Sequence, residues 1–114
     1  MDESSIKLKS KLWIEIEGIK CFGPGPCTLL ELIEETGSIN QAAKKMKMSY
    51  KKAWEIVSRL NEVTGHQFVV TSTGGEHGGG SFLSDKAKEL IRNYLQLQIR
   101  LQQFLEREES DIKI

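Results

Sequence analysis

A mostly α fold with small β-hairpins is what this sequence predicts, and three observations predict it. Residues 36–61, TGSINQAAKKMKMSYKKAWEIVSRLN, read as two short helices joined by a tight turn. After Gly65 the apolar pattern changes from a helical to an extended period and runs into a cluster of glycines. From Ser84 a single helical pattern then continues to about Glu108. Two helices on a tight turn, a glycine-tipped hairpin and a long closing helix are the sequence form of a winged helix-turn-helix with a C-terminal dimerisation helix. The elements expected within one domain over residues 1–114 are an N-terminal strand or hairpin (11–22), a support helix (28–35), the helix-turn-helix (38–64), the wing (66–83) and the dimerisation helix (84–108).

In the first element, Leu12, Ile14 and Ile16 alternate with Trp13, Glu15 and Glu17, so one face of a strand points inward. Gly18 breaks it, and Ile19–Phe22 can return as its hairpin partner. Gly23-Pro24-Gly25-Pro26 reads as a hard stop. Thr28 with Glu31 then has the spacing of a capping box that opens the support helix, whose apolar face is Leu29, Leu30, Leu32 and Ile33.

Ser38 and Gln41 repeat the capping-box spacing at the start of the next helix. Ile39, Ala42, Ala43 and Met46 follow at i, i+3, i+4 and i+7, one apolar face, and the adjacent alanines allow a second helix to cross closely. Lys47-Met48 is the expected turn, with Met48 as its buried anchor, and Ser49 is the next N-cap. Ala53, Val57 and Leu60 form the inward stripe of the second helix, with Trp54 and Ile56 on its flanks and Tyr50, Lys51, Lys52, Glu55 and Arg59 opposite. Phe68, Val69, Val70 and Thr71 favour a strand, and Ser81-Phe82-Leu83 can return from the glycine tip as its partner. In the last helix Ala87, Leu90, Tyr94, Leu97, Leu101 and Phe104 are spaced 3, 4, 3, 4, 3, a heptad seam widened by Ile91, Leu95 and Leu105. So much apolar surface on one helix calls for a partner, and a second copy meeting it at Leu90, Tyr94, Leu97, Leu101 and Phe104 is the expected one.

Composition bounds the function. The 114 residues suffice for one domain, and 39% apolar with 28% charged is ordinary globular usage. No apolar run approaches the roughly 20 residues that span a bilayer, and MDESSIKLKSK has no apolar stretch after a basic start, so a cytoplasmic protein without a membrane partner is expected. Cys21 and Cys27 are too few for a disulfide scaffold and should be free thiols. Net charge is zero, with 16 basic and 16 acidic residues, yet its distribution is uneven. Between Ser38 and Leu60 stand Lys44, Lys45, Lys47, Lys51, Lys52 and Arg59 against Glu55 alone. A recognition helix presents its N-terminal residues to the major groove, which places Ser49, Tyr50, Lys51 and Lys52 at duplex DNA and Lys44, Lys45 and Lys47 near its phosphates.

Other functions fit less well. Gly74 and Gly79 have the spacing of the first two glycines of a P-loop, but the next residue is Gly80 where lysine must reach the phosphates. Cys21, Cys27, His66 and His77 match no compact zinc pattern, so neither metal nor cofactor is expected; a metal- or redox-responsive regulator using Cys21 and Cys27 stays as an alternative. A winged helix that docks protein instead of DNA is the other alternative. No nucleophile–histidine pairing and no paired carboxylates suggest an enzyme.

The segment GPGPCTLLELIEETGSINQAAKKMKMSYKKAWEIVSRLN, above all its TGSI, SYKKAW and RLN pieces, together with the wing STGGEHGGGSFLS and the helix behind it, resembles the N-terminal DNA-binding domain of the molybdate-dependent regulator (ModE) family, a winged helix related to LysR-type regulators. The resemblance runs from about Lys11 to Glu106. It implies a transcription regulator that dimerises through its terminal helices on a palindromic operator. By matching position, Ser38, Gln41, Ser49, Tyr50, Lys51 and Lys52 take the helix-turn-helix role, Thr73, Gly74 and Gly75 the wing role, and Trp54 matches a family tryptophan whose period here places it inward as packing. Full-length family members carry C-terminal molybdate-binding domains. With the sequence ending at Ile114, a regulator without its own molybdate sensor is expected, or one that takes its signal from an effector-sensing partner protein.

Overall fold

The computed structural model describes residues 5–72 and 80–114. Its elements run β1 (Ile14–Ile16), β2 (Ile19–Phe22), α1 (Pro24–Thr36), α2 (Ile39–Lys45), α3 (Tyr50–Thr64), β3 (Val69–Ser72), β4 (Gly80–Leu83) and α4 (Asp85–Glu108), with a short 3-10 turn at Glu109–Asp111. The strands make two separate antiparallel hairpins, β1 with β2 and β3 with β4. The fold is a winged helix-turn-helix, mostly α, closed by a long C-terminal helix.

The first hairpin turns on Glu17 and Gly18, with φ of 50° and 81° and Ile16 paired to Ile19. Positive φ at both central residues is what a two-residue type I′ turn requires. The Gly-Pro-Gly-Pro run does not stop the chain. Pro24 stands in the first turn of α1 behind Gly23, so the helix begins four residues before Thr28 and Thr28 caps nothing. The missing proline N–H groups fall among helix-start donors that have no intrahelical acceptor in any case, and proline's fixed φ suits that position. Gly37 then ends α1 in the left-handed region at φ 72°, its N–H donating to the Ile33 carbonyl at 2.8 Å.

One core joins the elements. Leu29, Leu30 and Ile33 of α1, Ile39, Ala42 and Ala43 of α2, and Ala53, Val57 and Leu60 of α3 are all buried in it, with Met46 and Met48 of the intervening turn packed half-buried against it. Phe22, Phe68, Val69 and Leu83 bring both hairpins to the same core.

The wing hairpin is latched at both ends. The Phe68 N–H donates to Asn61 Oδ1 of α3 at 2.9 Å. On the return, Ser84 closes the base: its N–H donates to the Phe68 carbonyl (3.0 Å), its hydroxyl donates to the Gln67 carbonyl (2.7 Å), and its oxygen accepts from the Ala87 N–H as the cap of α4 (3.2 Å). Further along, the Ser81 N–H donates to the Gly37 carbonyl at 2.9 Å, which holds β4 against the turn between α1 and α2. A Cβ at Gly80 would stand 3.3 Å from that carbonyl, so the close approach favours glycine there.

α4 is 24 residues long, or about 36 Å at the helical rise. Only its first half is packed in the core. Ala87 is fully buried, Leu90 and Ile91 are partly so, and Tyr94 is 2% exposed. The Tyr94 ring meets Phe22 edge-on at 5.1 Å, and its hydroxyl donates to the Leu12 carbonyl at 2.7 Å. The expected place of Tyr94 in a dimer seam is therefore corrected: its side chain is spent inside its own chain. Beyond it, Leu97, Ile99 and Phe104 are exposed. Among the described residues no helix is long and apolar enough to cross a membrane.

Replacing Asn61 by leucine leaves the Phe68 N–H without its acceptor and should lower stability by about 1–3 kcal/mol. Asn61→Asp keeps an acceptor oxygen and should retain most of it. Urea unfolding of both variants beside the unsubstituted chain checks the pair.

Candidate nucleic-acid interface

Two serines set where the helices of the helix-turn-helix begin. Ser38 Oγ accepts from the Gln41 N–H at 3.1 Å, and Ser49 Oγ accepts from the Lys52 N–H at 3.0 Å. Each satisfies one of the donors a helix start leaves open. The reciprocal half of the Ser38 capping box is not formed. The Ser38 N–H donates instead to Thr36 Oγ1 at 3.2 Å, and the Gln41 side chain stays exposed. Between the helices Lys47 takes a left-handed φ of 56°, which turns the chain sharply enough for α3 to follow α2 after Met46, Lys47, Met48 and Ser49.

Lys44, Lys45, Lys47, Lys51, Lys52 and Arg59 are all exposed. Lys45 pairs with Glu35 across α1 and α2 at 3.7 Å, but both side chains are more than half exposed and such a pair is worth little. None of the other five lies within ion-pairing distance of a carboxylate among the described residues. Ser49, Tyr50, Lys51 and Lys52 open α3 together, with Tyr50 48% exposed. Thr73, Gly74 and Gly75 lie outside the described residues, as do His77 and Gly79.

Trp54 is not inward. It is 39% exposed and stands with Tyr50, one helical turn before it, at a cleft of about 280 Å³. The cleft runs from Ser38 and Asn40 at the start of α2 to Thr71, Gly80 and Ser81 of the wing strands. The inward stripe of α3 is Ala53, Val57 and Leu60, and Trp54 falls at its edge, on the side that faces the wing. The i, i+4 spacing of Tyr50 and Trp54 was the available signal that they share a face. The face that results is basic along α2 and the turn, aromatic toward the wing, and concave where α2, α3 and the wing meet.

Both cysteines are buried free thiols. Cys27 Sγ lies 3.7 Å from Glu31 Oε1, to which it donates. Burial, and after it the Glu31 carboxylate, pushes the Cys27 thiol up to about 11; burial raises Cys21 as well. Neither has the low pKa and exposure of a reactive thiolate. Among the described residues, no group of three or more His, Cys, Asp or Glu side chains is placed to hold a metal ion.

The fold and this face define a winged helix-turn-helix protein with a basic, exposed second helix. Comparison with known proteins narrows the class. Over 79 residues the chain is 42% identical to the molybdenum transport protein ModE of Azotobacter vinelandii, covering 69% of this chain and 29% of that protein. Over 90 residues it is 37% identical to the transcriptional regulator ModE of Haemophilus influenzae and 36% identical to the DNA-binding transcriptional dual regulator ModE of Escherichia coli K12, in each case over 79% of this chain and 32% or 31% of the relative. Across the matched segment the chain is thus a homologue of ModE regulators, as the resemblance read from its motifs implied. It spans about a third of the length of these curated relatives. No protein-family model matches the chain.

Two predictions follow from the local chemistry. Ser49→Ala removes the α3 cap and should cost about 1 kcal/mol in urea unfolding. Cys27 holds its proton more tightly in the fold than in the unfolded chain, so its contribution to stability is complete below pH 9 and is lost as pH rises toward about 11. At pH 8 its alkylation, followed by peptide mass spectrometry, should be much slower in the folded than in the urea-unfolded chain, because the thiol is both buried and harder to ionise.

Proposed function

We propose that this chain is a sequence-specific, DNA-binding transcription regulator that acts as a homodimer on a palindromic operator. The observation that carries the reading is the exposed basic surface of α2 and α3, five of whose six cations lack a carboxylate partner among the described residues. Unpaired cations on a helix-turn-helix are placed for phosphates, and the homology to a protein named as a DNA-binding regulator supports the same partner.

In this reading α3 lies in the major groove. Ser49, Tyr50, Lys51 and Lys52 reach base edges or adjacent phosphates, and Trp54 packs beside Tyr50 against the sugar-phosphate surface. Lys44, Lys45 and Lys47 add salt-sensitive attraction, while Ser38 and Gln41 stand at the start of α2. Thr73, Gly74 and Gly75 contact the flanking backbone from the wing. The dimer forms on the part of α4 beyond the core, with Leu97, Leu101 and Phe104 as its seam and Leu90 at the edge of it. Leu97 and Phe104 are 45% and 49% exposed, and large apolar side chains repeated along one projecting helix call for cover. Two copies would set two α3 helices on successive major grooves, about 34 Å apart.

Lys51→Ala separates the ways this side chain can act. If Lys51 reads a base, affinity should fall by about 1–3 kcal/mol on the preferred duplex with relaxed preference at one position; if it meets a phosphate, all sequences should weaken alike and the salt slope should fall by about one. Unchanged affinity and unchanged slope would contradict the assignment. The double substitution Leu97→Asp with Phe104→Asp should give a folded monomer in sedimentation analysis, with binding to a palindrome reduced to that of a half-site.

A further inference from the structure

Lys11 before β1, Lys20 of β2, and Lys52 and Arg59 of α3 line one cleft of about 260 Å³ at the start of α1. All four are exposed, and Glu55 is the only acidic residue among the lining. None of the four lies within ion-pairing distance of a carboxylate among the described residues. Lys20 Nζ stands 5.0 Å over the Trp13 ring, a contact that positions the ammonium and leaves its donors open.

The helix start adds to this charge. Gly23 caps α1 without any side-chain bond, and the first turn carries no acidic residue to offset the positive end of the helix. Pro24 and Pro26 have no N–H, and the Cys27 N–H already donates to the Gly23 carbonyl at 2.9 Å. That leaves the Gly25 N–H as the open donor of the first turn. Gly25 is exposed, with nothing within 4 Å of where a Cβ would stand.

The cleft has a fixed relation to α3. Tyr50 and Trp54 occupy the edge of α3 toward the wing, whereas Lys52, Ile56 and Arg59 occupy the opposite edge and line this cleft. A major groove is about 12 Å wide and bounded by two phosphate ridges, so a helix lying in it turns one edge to each ridge. The wing side addresses one of them. We propose that the cleft at the start of α1 seats a backbone phosphate of the other, held by Lys11, Lys20, Lys52, Arg59 and the Gly25 N–H. This assignment rests on the DNA reading above and extends the footprint to the side of α3 away from the wing. The chemistry is that of a phosphate or a free oxyanion, and the duplex is the source assigned here.

The test compares the unsubstituted chain, Lys11→Gln/Lys20→Gln and Lys51→Ala on a selected duplex and a scrambled one across a salt series, and follows the Gly25 amide by NMR with duplex and with inorganic phosphate. The expected result is that duplex shifts the Gly25 amide. The double variant should lose affinity equally for both sequences, with a salt slope reduced by one to about two. A double variant with unchanged affinity and slope, beside a weakened Lys51→Ala, would overturn the seat and leave the DNA reading standing. No duplex binding by the unsubstituted chain at low salt would remove both. A saturable Gly25 response to inorganic phosphate with none to duplex would overturn the duplex as source and make the cleft a free-oxyanion site. Thermal melting of the double variant, whose two substitutions are on exposed side chains, should match the parent.

Discussion

Close packing of α2 on α3 is the constraint on which the rest depends. Ala42, Ala43 and Ala53 are at most 1% exposed, and no side chain larger than a methyl stands at those three positions. A larger residue at any of them would force the helices apart, with the cost that overpacking brings to a well-filled core. With that spacing set, the turn between the helices must be tight, and Lys47 accepts a left-handed backbone to make it so. The buried side of α3 is then decided by Ala53, Val57 and Leu60, and its basic and aromatic residues have no other place than the surface.

The wing and α4 are referred to the same frame through hydrogen bonds between separate segments. Asn61 ties the last turn of α3 to the start of β3, Ser81 ties β4 to Gly37 at the entry of α2, and Ser84 closes the hairpin while starting α4. The cleft shared by Tyr50, Trp54 and the wing strands owes its shape to these links. On the other side, Phe22 and Tyr94 pack the first hairpin against α4, so the start of α1 and its basic cleft are held from below. Both edges of α3 are thus bordered by elements fixed to one core, which gives a nucleic-acid ligand a shaped surface instead of a lone charged helix.

Where the chemistry is local, the sequence was legible. Ser38 and Ser49 cap α2 and α3, the first hairpin turns where Gly18 breaks the strand pattern, and α4 begins behind Ser84. Where position within an element matters, period alone misled. Gly-Pro-Gly-Pro looks like an interruption, but a proline in a first helical turn loses no bond, and α1 starts there. Trp54 sits between the inward and outward faces of α3, and the cleft toward the wing, which the helical period does not reveal, is where it stands. Tyr94 fits a heptad seam, yet its partner is the carbonyl of Leu12, 82 residues away in the chain, which no local pattern reveals. The cleft of Lys11, Lys20, Lys52 and Arg59 was hidden for the same reason: Lys52 and Arg59 share a face of α3, but only the fold brings Lys11 and Lys20 to them.

Selection from a pool of randomised duplexes, sequenced after binding at two salt concentrations, tests most directly whether α3 is a DNA-reading helix. An enriched palindrome, bound far more weakly at the higher salt, is the result that a dimeric, cationic helix-turn-helix requires. No enrichment and no binding even at the lower salt would contradict it, and would leave the exposed face of α2 and α3 as a surface for a protein partner.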